Sequence, residues 1–261
     1  MGHTIGGRTH SFHADASAFG GQLEQPFERI IPAQAPLTLS PDGGYNTTRV
    51  DYFQVEGLFS FKSAYTQVSG IVSKKRPGWT TLTTSVIEGL NVAEVFTADR
   101  VVAQIITDHP AAAGKYAPRV NFVGTRFDNL RIGSCPIDVD LDLDLCTPEK
   151  TDSDGFPEQG TMTDPRFLAN LQQRGQYNPA VKGKSQIECS LVEKVTPKGK
   201  FPGPEPQGNV LIVPGFGKIT LAELIVDCNS YRLSMFRLEL GCPTKGGLSG
   251  GNGTANGSTA P

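Results

Sequence analysis

Two groups of side chains in this sequence could do chemistry. The first is the histidines. Only four are present, and three of them, His10, His13 and His109, lie beside carboxylates, with Asp15 after the first two and Asp108 before the third. Two imidazoles and one carboxylate sharing a face form the triad that holds non-haem iron, so iron or another divalent metal is the cofactor this set could take. Residues three apart on a strand point to opposite faces, so His10 and His13 need a bulge or turn between them to share an ion. The competing reading is surface or hydrogen-bonded histidines with no metal.

The second group is the run Ile137 to Leu145, in which five apolar residues alternate with Asp138, Asp140, Asp142 and Asp144. A strict period of two predicts a β-strand with one buried face. Aspartate is a poor strand former, and on one face these carboxylates would recur about every 6.6–6.8 Å. Their repulsion is tolerable only where water, salt or a cationic partner screens it. Arg119, Arg126 and Arg131, on the preceding strands, could supply the cations internally, or a basic peptide could do so from outside. On the external reading the four aspartates, Arg126 and Trp79 form a peptide-binding surface. Trp79 has many aromatics near it in sequence, and it either lines an apolar groove or packs in the core. The aspartates lie too far apart along one strand to share a calcium ion, and Asp152-Ser-Asp-Gly155 lacks the remaining ligands of a calcium loop and reads as a turn.

Other catalytic signatures are missing. Pro214-Gly-Phe-Gly-Lys218 does not have the spacing of a phosphate-binding loop, and no Gly-x-Ser-x-Gly elbow is present. The five cysteines are irregularly spaced with no Cys-x-x-Cys, which favours buried, reduced thiols over zinc or disulfides. A net charge of −2 across 261 residues argues against a nucleic-acid partner. No window reaches the roughly 18 apolar residues that would span a bilayer. The N-terminal segment lacks a charged head followed by an apolar core, so the expected location is the cytoplasm.

The elements that must position these groups are mostly strands, since 30 glycines and 19 prolines favour many turns over long helices. Alternation and β-branched content predict strands over 10–25, 50–60, 64–72, 80–87, 92–107, 119–123 and 127–132, then the acidic strand. The stretch 147–183 reads as an insertion or lid with one helix, capped by Asp164, opened by Pro165, striped by Phe167, Leu168 and Leu171 and ended at Gly175. Strands at 185–195, 210–213, 218–226 and 231–240 follow, with a hairpin turn at 227–230. From residue 243 the Gly/Ser/Asn-rich tail is expected to be disordered, because it cannot bury enough surface to offset its ordering entropy. The expected fold is mainly β, a barrel or sandwich of about a dozen mostly antiparallel strands in one β-rich domain over 1–242.

The runs TTLTTSVIEGLNV (80–92), TADRVVAQI (97–105), VNFVGTRFDNLRI (120–132), IECSLVEKV (187–195) and FGKITLAEL (216–224) together resemble a group of bacterial β-rich proteins. Within it, the chain is similar to the peptide-binding proteins of crocagin-type ribosomal-peptide clusters. That resemblance implies a cytoplasmic β-protein that binds a precursor peptide and assists formation of a pyrroloindoline core; it assigns no binding residue here. The run at 89–105 also resembles extracellular bacterial anchor-type domains. The expected function is therefore a peptide-binding accessory protein, with a peptide or protein as partner. A metal-dependent peptide-modifying enzyme and a self-assembling structural protein stand as alternatives.

Overall fold

A computed structural model of the chain describes residues 3–55, 57–73, 77–112, 117–177, 185–228, 230–241 and 243–260. The first half contains β1 (His3–Ile5), β2 (Arg8–Gln25), β3 (Arg29–Gln34), β4 (Leu37–Thr38), β5 (Gly44–Val55), β6 (Phe59–Val72), β7 (Gly78–Val92) and β8 (Phe96–Pro110). Short strands β9 (Arg119–Asn121), β10 (Arg126–Asp128) and β11 (Arg131–Ile132) lead to β12 (Cys135–Leu141) and α1 (Pro165–Gln173). The chain ends through β13 (Gln186–Ser190), β14 (Val192–Pro197), β15 (Val210–Val213), β16 (Gly217–Asp227), β17 (Ser230–Leu240) and β18 (Lys245–Ala260).

These strands form two antiparallel sheets facing each other. One runs β1-β2-β18-β17-β16-β13, with β3 and β4 also on β2 and β15 on β16; the other runs β14-β12-β11-β8-β7-β6-β5, with β9 and β10 on β8. Neither sheet closes on itself among the described residues, so the architecture is a sandwich and not a barrel. Two apolar clusters fill the space between the sheets: the larger takes in Phe167 and Leu171 of α1, and the smaller is built from Phe12, Ala14, Ala16, Leu39, Val68 and Trp79. No helix among the described residues is long and apolar enough to cross a membrane.

The Gly/Ser/Asn-rich C-terminus overturns the expectation of a disordered tail. As β18 it lies in the middle of the first sheet, paired from Lys245 to Ala260 with β2 and from Gly246 to Asn256 with β17. Apart from Leu248 and Ala255 its side chains bury little; two hydrogen-bond ladders, interrupted at Gly251, and a close approach to the other sheet stabilise it. Gly251, Gly253, Ala255 and Gly257 are buried at every second position. A Cβ on Gly250 would lie 2.3 Å from Phe236, and one on Gly253 would lie 3.0 Å from Thr83. The neighbouring β2 also turns small residues inward, with Ala14, Ala16 and Ala18 all buried. The sheets come close enough here for Thr83 Oγ1 on β7 to donate to the Thr254 carbonyl at 2.8 Å, and Ser85 Oγ to the Ser17 carbonyl at 3.1 Å.

The helix forms as its sequence signals require. The Asp164 side chain accepts from the backbone N–H groups of Arg166 and Phe167, at 3.0 and 3.1 Å, and Pro165 opens the first turn,. Its second oxygen accepts from Glu149 N–H at 2.9 Å. Thr161 and the buried Tyr231 of β17 share a hydroxyl hydrogen bond of 2.7 Å. These contacts hold the described part of the 147–183 stretch against the sandwich.

Candidate functional site

Two features could act on a partner. The first is β5, which ends its sheet and, among the described residues, pairs with β6 alone, from Gly44 opposite Gly70 to Val55 opposite Phe59. Only Val55 is buried along its length. The reason is overhang: the facing strands β2 and β18 sit over β6, β7 and β8, so much of β5 meets water on both faces. From Gly44 to Asp51 the register is uninterrupted. The pairing lapses at Tyr52, whose φ is 54°, and resumes in the same register at Phe53. An unpaired strand edge offers a row of backbone N–H and C=O groups to another chain. The other sheet ends are shorter: β1 has three residues, β13 has five, and β14 has six with Glu193, Lys194 and Pro197 among them,. On β5, Arg49 and Asp51 pair with each other at 2.5 Å, and no proline interrupts the strand.

The second feature is a pair of histidines between the sheets. His10 on β2 and His109 on β8 are both buried, with ring centroids 4.7 Å apart. Trp79, opposite His109 in register, stacks on His10 at 5.0 Å, and Phe12 meets the same ring edge-on at 4.8 Å. Thr259 Oγ1 lies 2.9 Å from His10 Nδ1. The Nε2 atoms of both rings are buried with no hydrogen-bond partner among the described residues. Burial lowers the pKa of His10 to about 4 and that of His109 to about 3, the latter helped by the nearness of His10. Both rings are therefore neutral at neutral pH. Beside them opens a cleft of about 310 Å³ at the end of the sandwich, lined by Trp79, His109, Thr80, Asp108 and Arg119 among others. There the Asp108 carboxylate accepts from Arg119 at 2.5 Å and from Thr80 at 2.6 Å.

His13 takes no part in this cluster. It is exposed on the other face of β2 and lies 3.0 Å from Asp15. The expected iron site of His10, His13 and His109 is thus corrected: β2 runs without a bulge between residues 10 and 13, so the two rings stay on opposite faces. Among the described residues no group of three or more His, Cys, Asp or Glu is arranged to hold a metal ion.

The acidic run is only partly the strand that its alternation predicts. Asp138 and Asp140 are exposed on β12, but the strand stops at Leu141 and the chain turns. Asp142 accepts from Asp144 N–H at 3.1 Å and pairs with Arg174. Asp144 is exposed in that turn, 3.4 Å from the Thr147 hydroxyl. Asp138 pairs with Lys198 at 2.8 Å, and Asp140 stands opposite Lys194 on β14. Charge is balanced from within, but by residues after the acidic run and not by the expected arginines. Arg119 is held by Asp108, Arg126 by Asp128 at 3.1 Å, and Arg131 by the Ser134 carbonyl. Trp79 is buried, packed with Phe12 and His10 beside the cleft.

Of the cysteines, Cys135, Cys146 and Cys189 are buried free thiols and Cys228 is exposed; Cys242 and the basic residues 74–76 lie outside the described residues. Sequence reasoning missed both the open β5 edge and the His10–His109 contact. The alternation of small residues at 251, 253, 255 and 257 was the available signal that β18 is a strand and that the sheets approach closely there.

No curated protein and no solved structure matches the chain. A family described as a domain of unknown function (DUF8256) matches residues 10–184 and 172–227, which include β5, His10 and His109. The chain belongs to the DUF8256 family.

Proposed function

We propose that this protein is a peptide-binding accessory protein that docks an extended peptide along the free edge of β5. One observation carries the reading: a 12-residue strand at the end of a large sheet, regular from Gly44 to Asp51, with no pairing partner on its outer side among the described residues. In strand addition, main-chain hydrogen bonds supply affinity and the alternating side chains supply selection. Val50 and Thr48, half-buried on the inner face, would meet the apolar positions of such a peptide. Tyr45, Thr47 and Arg49 would meet its polar ones. The likeness to crocagin-type peptide-binding proteins favours a ribosomal precursor peptide as the ligand, with the protein assisting its maturation.

Proline scanning tests this with a panel of labelled ten-residue peptides that alternate β-branched and charged residues. Successive residues of β5 direct their N–H groups to opposite edges, so Thr47→Pro and Thr48→Pro differ in effect. One breaks the ladder to β6 and lowers stability. The other leaves the fold intact and abolishes peptide binding. Equal peptide affinity in both folded variants and the wild type contradicts the proposal. So does a concentration-dependent dimer that forms through β5 and excludes every peptide, which would favour the self-assembling alternative.

A further inference from the structure

We propose, resting on the docking at β5, that a bound peptide is fixed in one register by a single large apolar side chain, aromatic or branched, seated over Ile71 beside the ring of Tyr45. Among the described residues seven large apolar side chains stand exposed, and four of them, Tyr45, Tyr52, Ile71 and Val72, belong to β5 and β6. Single exposed apolar residues are ordinary, but neighbours on one face mark a contact surface. Tyr45 and Ile71 are such neighbours. Tyr45 stands opposite Ser69 in register, and Ile71 lies two residues further along the same face of β6,. The buried Val68 belongs to the opposite face. Tyr45 is 65% exposed and Ile71 50%.

The start of β5 is what leaves Ile71 bare. Its first ladder pair is Gly44 with Gly70. Gly43, level with Ile71, has already turned away, and its N–H donates to the Ser40 carbonyl at 2.8 Å. Neither glycine puts a side chain between β6 and an added strand. Such a strand would lie about 4.7–4.9 Å outside β5 and roughly 10 Å from β6. An isoleucine and a long apolar side chain reaching from opposite sides can close that gap across the glycines. The peptide position opposite Tyr45 meets its hydroxyl, and the next position on this face meets the side of its ring and Ile71. Toward Asp51 the outer face offers nothing comparable. Gln104 donates to Thr84 at 3.1 Å, Arg49 pairs with Asp51 at 2.5 Å, and Arg100 pairs with Glu88 at 2.7 Å. These groups satisfy one another, and exposed ion pairs contribute little. A peptide that slides by two residues keeps its ladder and its facing but loses the contact with Ile71. Register is therefore set at the Gly44 end, by an apolar group and not by charge.

The test uses the full chain and labelled ten-residue peptides of alternating threonine and lysine. One phenylalanine is placed near the N-terminus, in the centre, near the C-terminus or nowhere. One terminal placement should bind about 10-fold more tightly than the central and phenylalanine-free peptides, since roughly half of a large apolar side chain's burial is gained. Which end does so reports the direction of the added strand. Ile71→Ser and Tyr45→Ser each remove that advantage, and both change exposed side chains, so circular dichroism should show an unaltered fold. Tyr45→Phe keeps it. Amide exchange on β5 separates this proposal from the docking itself. Peptides that protect β5 with one affinity wherever the phenylalanine sits overturn the register while leaving the docking in place. An advantage that survives in both Ile71→Ser and Tyr45→Ser does the same. Peptides that leave the β5 amides unprotected overturn both.

Discussion

Lowering the pH should destabilise the protein through the buried imidazoles of His10 and His109. In the unfolded chain a histidine titrates near 6.5, but burial places His10 at about 4 and His109 at about 3 in the fold. The unfolded state therefore takes up protons first. The stability tied to these rings is complete above pH 6.5 and is lost as the pH falls toward 4 for His10 and 3 for His109. Each pH unit in that window removes about 1.4 kcal/mol per ring. At pH 4.5 the loss is roughly 2 to 3 kcal/mol for each, or about 5 kcal/mol together, a large share of the 5–15 kcal/mol typical of a folded domain. Urea unfolding at pH 7.0, 6.0, 5.0 and 4.5 reads this directly as a midpoint that falls by about 2 M across the series. The double variant His10→Gln, His109→Gln should have lower stability at pH 7 but a much flatter dependence on pH. A midpoint that does not move between pH 6.5 and 4.5, or a slope that survives in the double variant, refutes the reasoning.

Three further outcomes follow from the packing. Gly250→Ala places a methyl 2.3 Å from the buried ring of Phe236 and 3.0 Å from the Ala18 carbonyl, so it should destabilise by about 1–3 kcal/mol, seen as a lower Tm in calorimetry. Asp164→Ala removes the cap of α1 and the acceptor for Glu149 N–H. It should cost about 1–2 kcal/mol, with helix amides near Arg166 exchanging faster by hydrogen exchange. Among the described thiols, only Cys228 should be alkylated in the folded state at pH 8, because burial raises Cys146 and lifts Cys189 to about 12. Raising the pH above 9 should then weaken the fold as the unfolded thiols ionise while the buried ones cannot, with mass spectrometry reporting when Cys189 becomes reactive.

How much of this could be read from residues alone depended on whether burial left a hydropathic trace. Val210–Val213 and the helix at Pro165 are found because a short β-branched apolar run and capping chemistry mark them locally. β18 was hidden because glycine carries no hydropathic signal; it is buried by what the opposite sheet brings to it. β5 was predicted to start at Val50 and not at Gly44, since a strand exposed on both faces has no reason to alternate. The acidic run misled in the other direction: its period of two continues to Leu145, but Asp142 leaves the ladder to pair with Arg174 and support a turn. The contact of His10 with His109 depends on how two sheets stack, which no local pattern encodes.

The binding surface is tested most directly by amide exchange, followed residue by residue in NMR, on the free protein and on the protein saturated with a panel peptide. If an extended chain adds to β5, every second amide from Tyr45 to Asp51 should slow markedly, while the alternate ones, already bonded to β6, stay as they were. Protection that appears on β12 and β14 instead, or a β5 whose amides do not respond, would contradict the account.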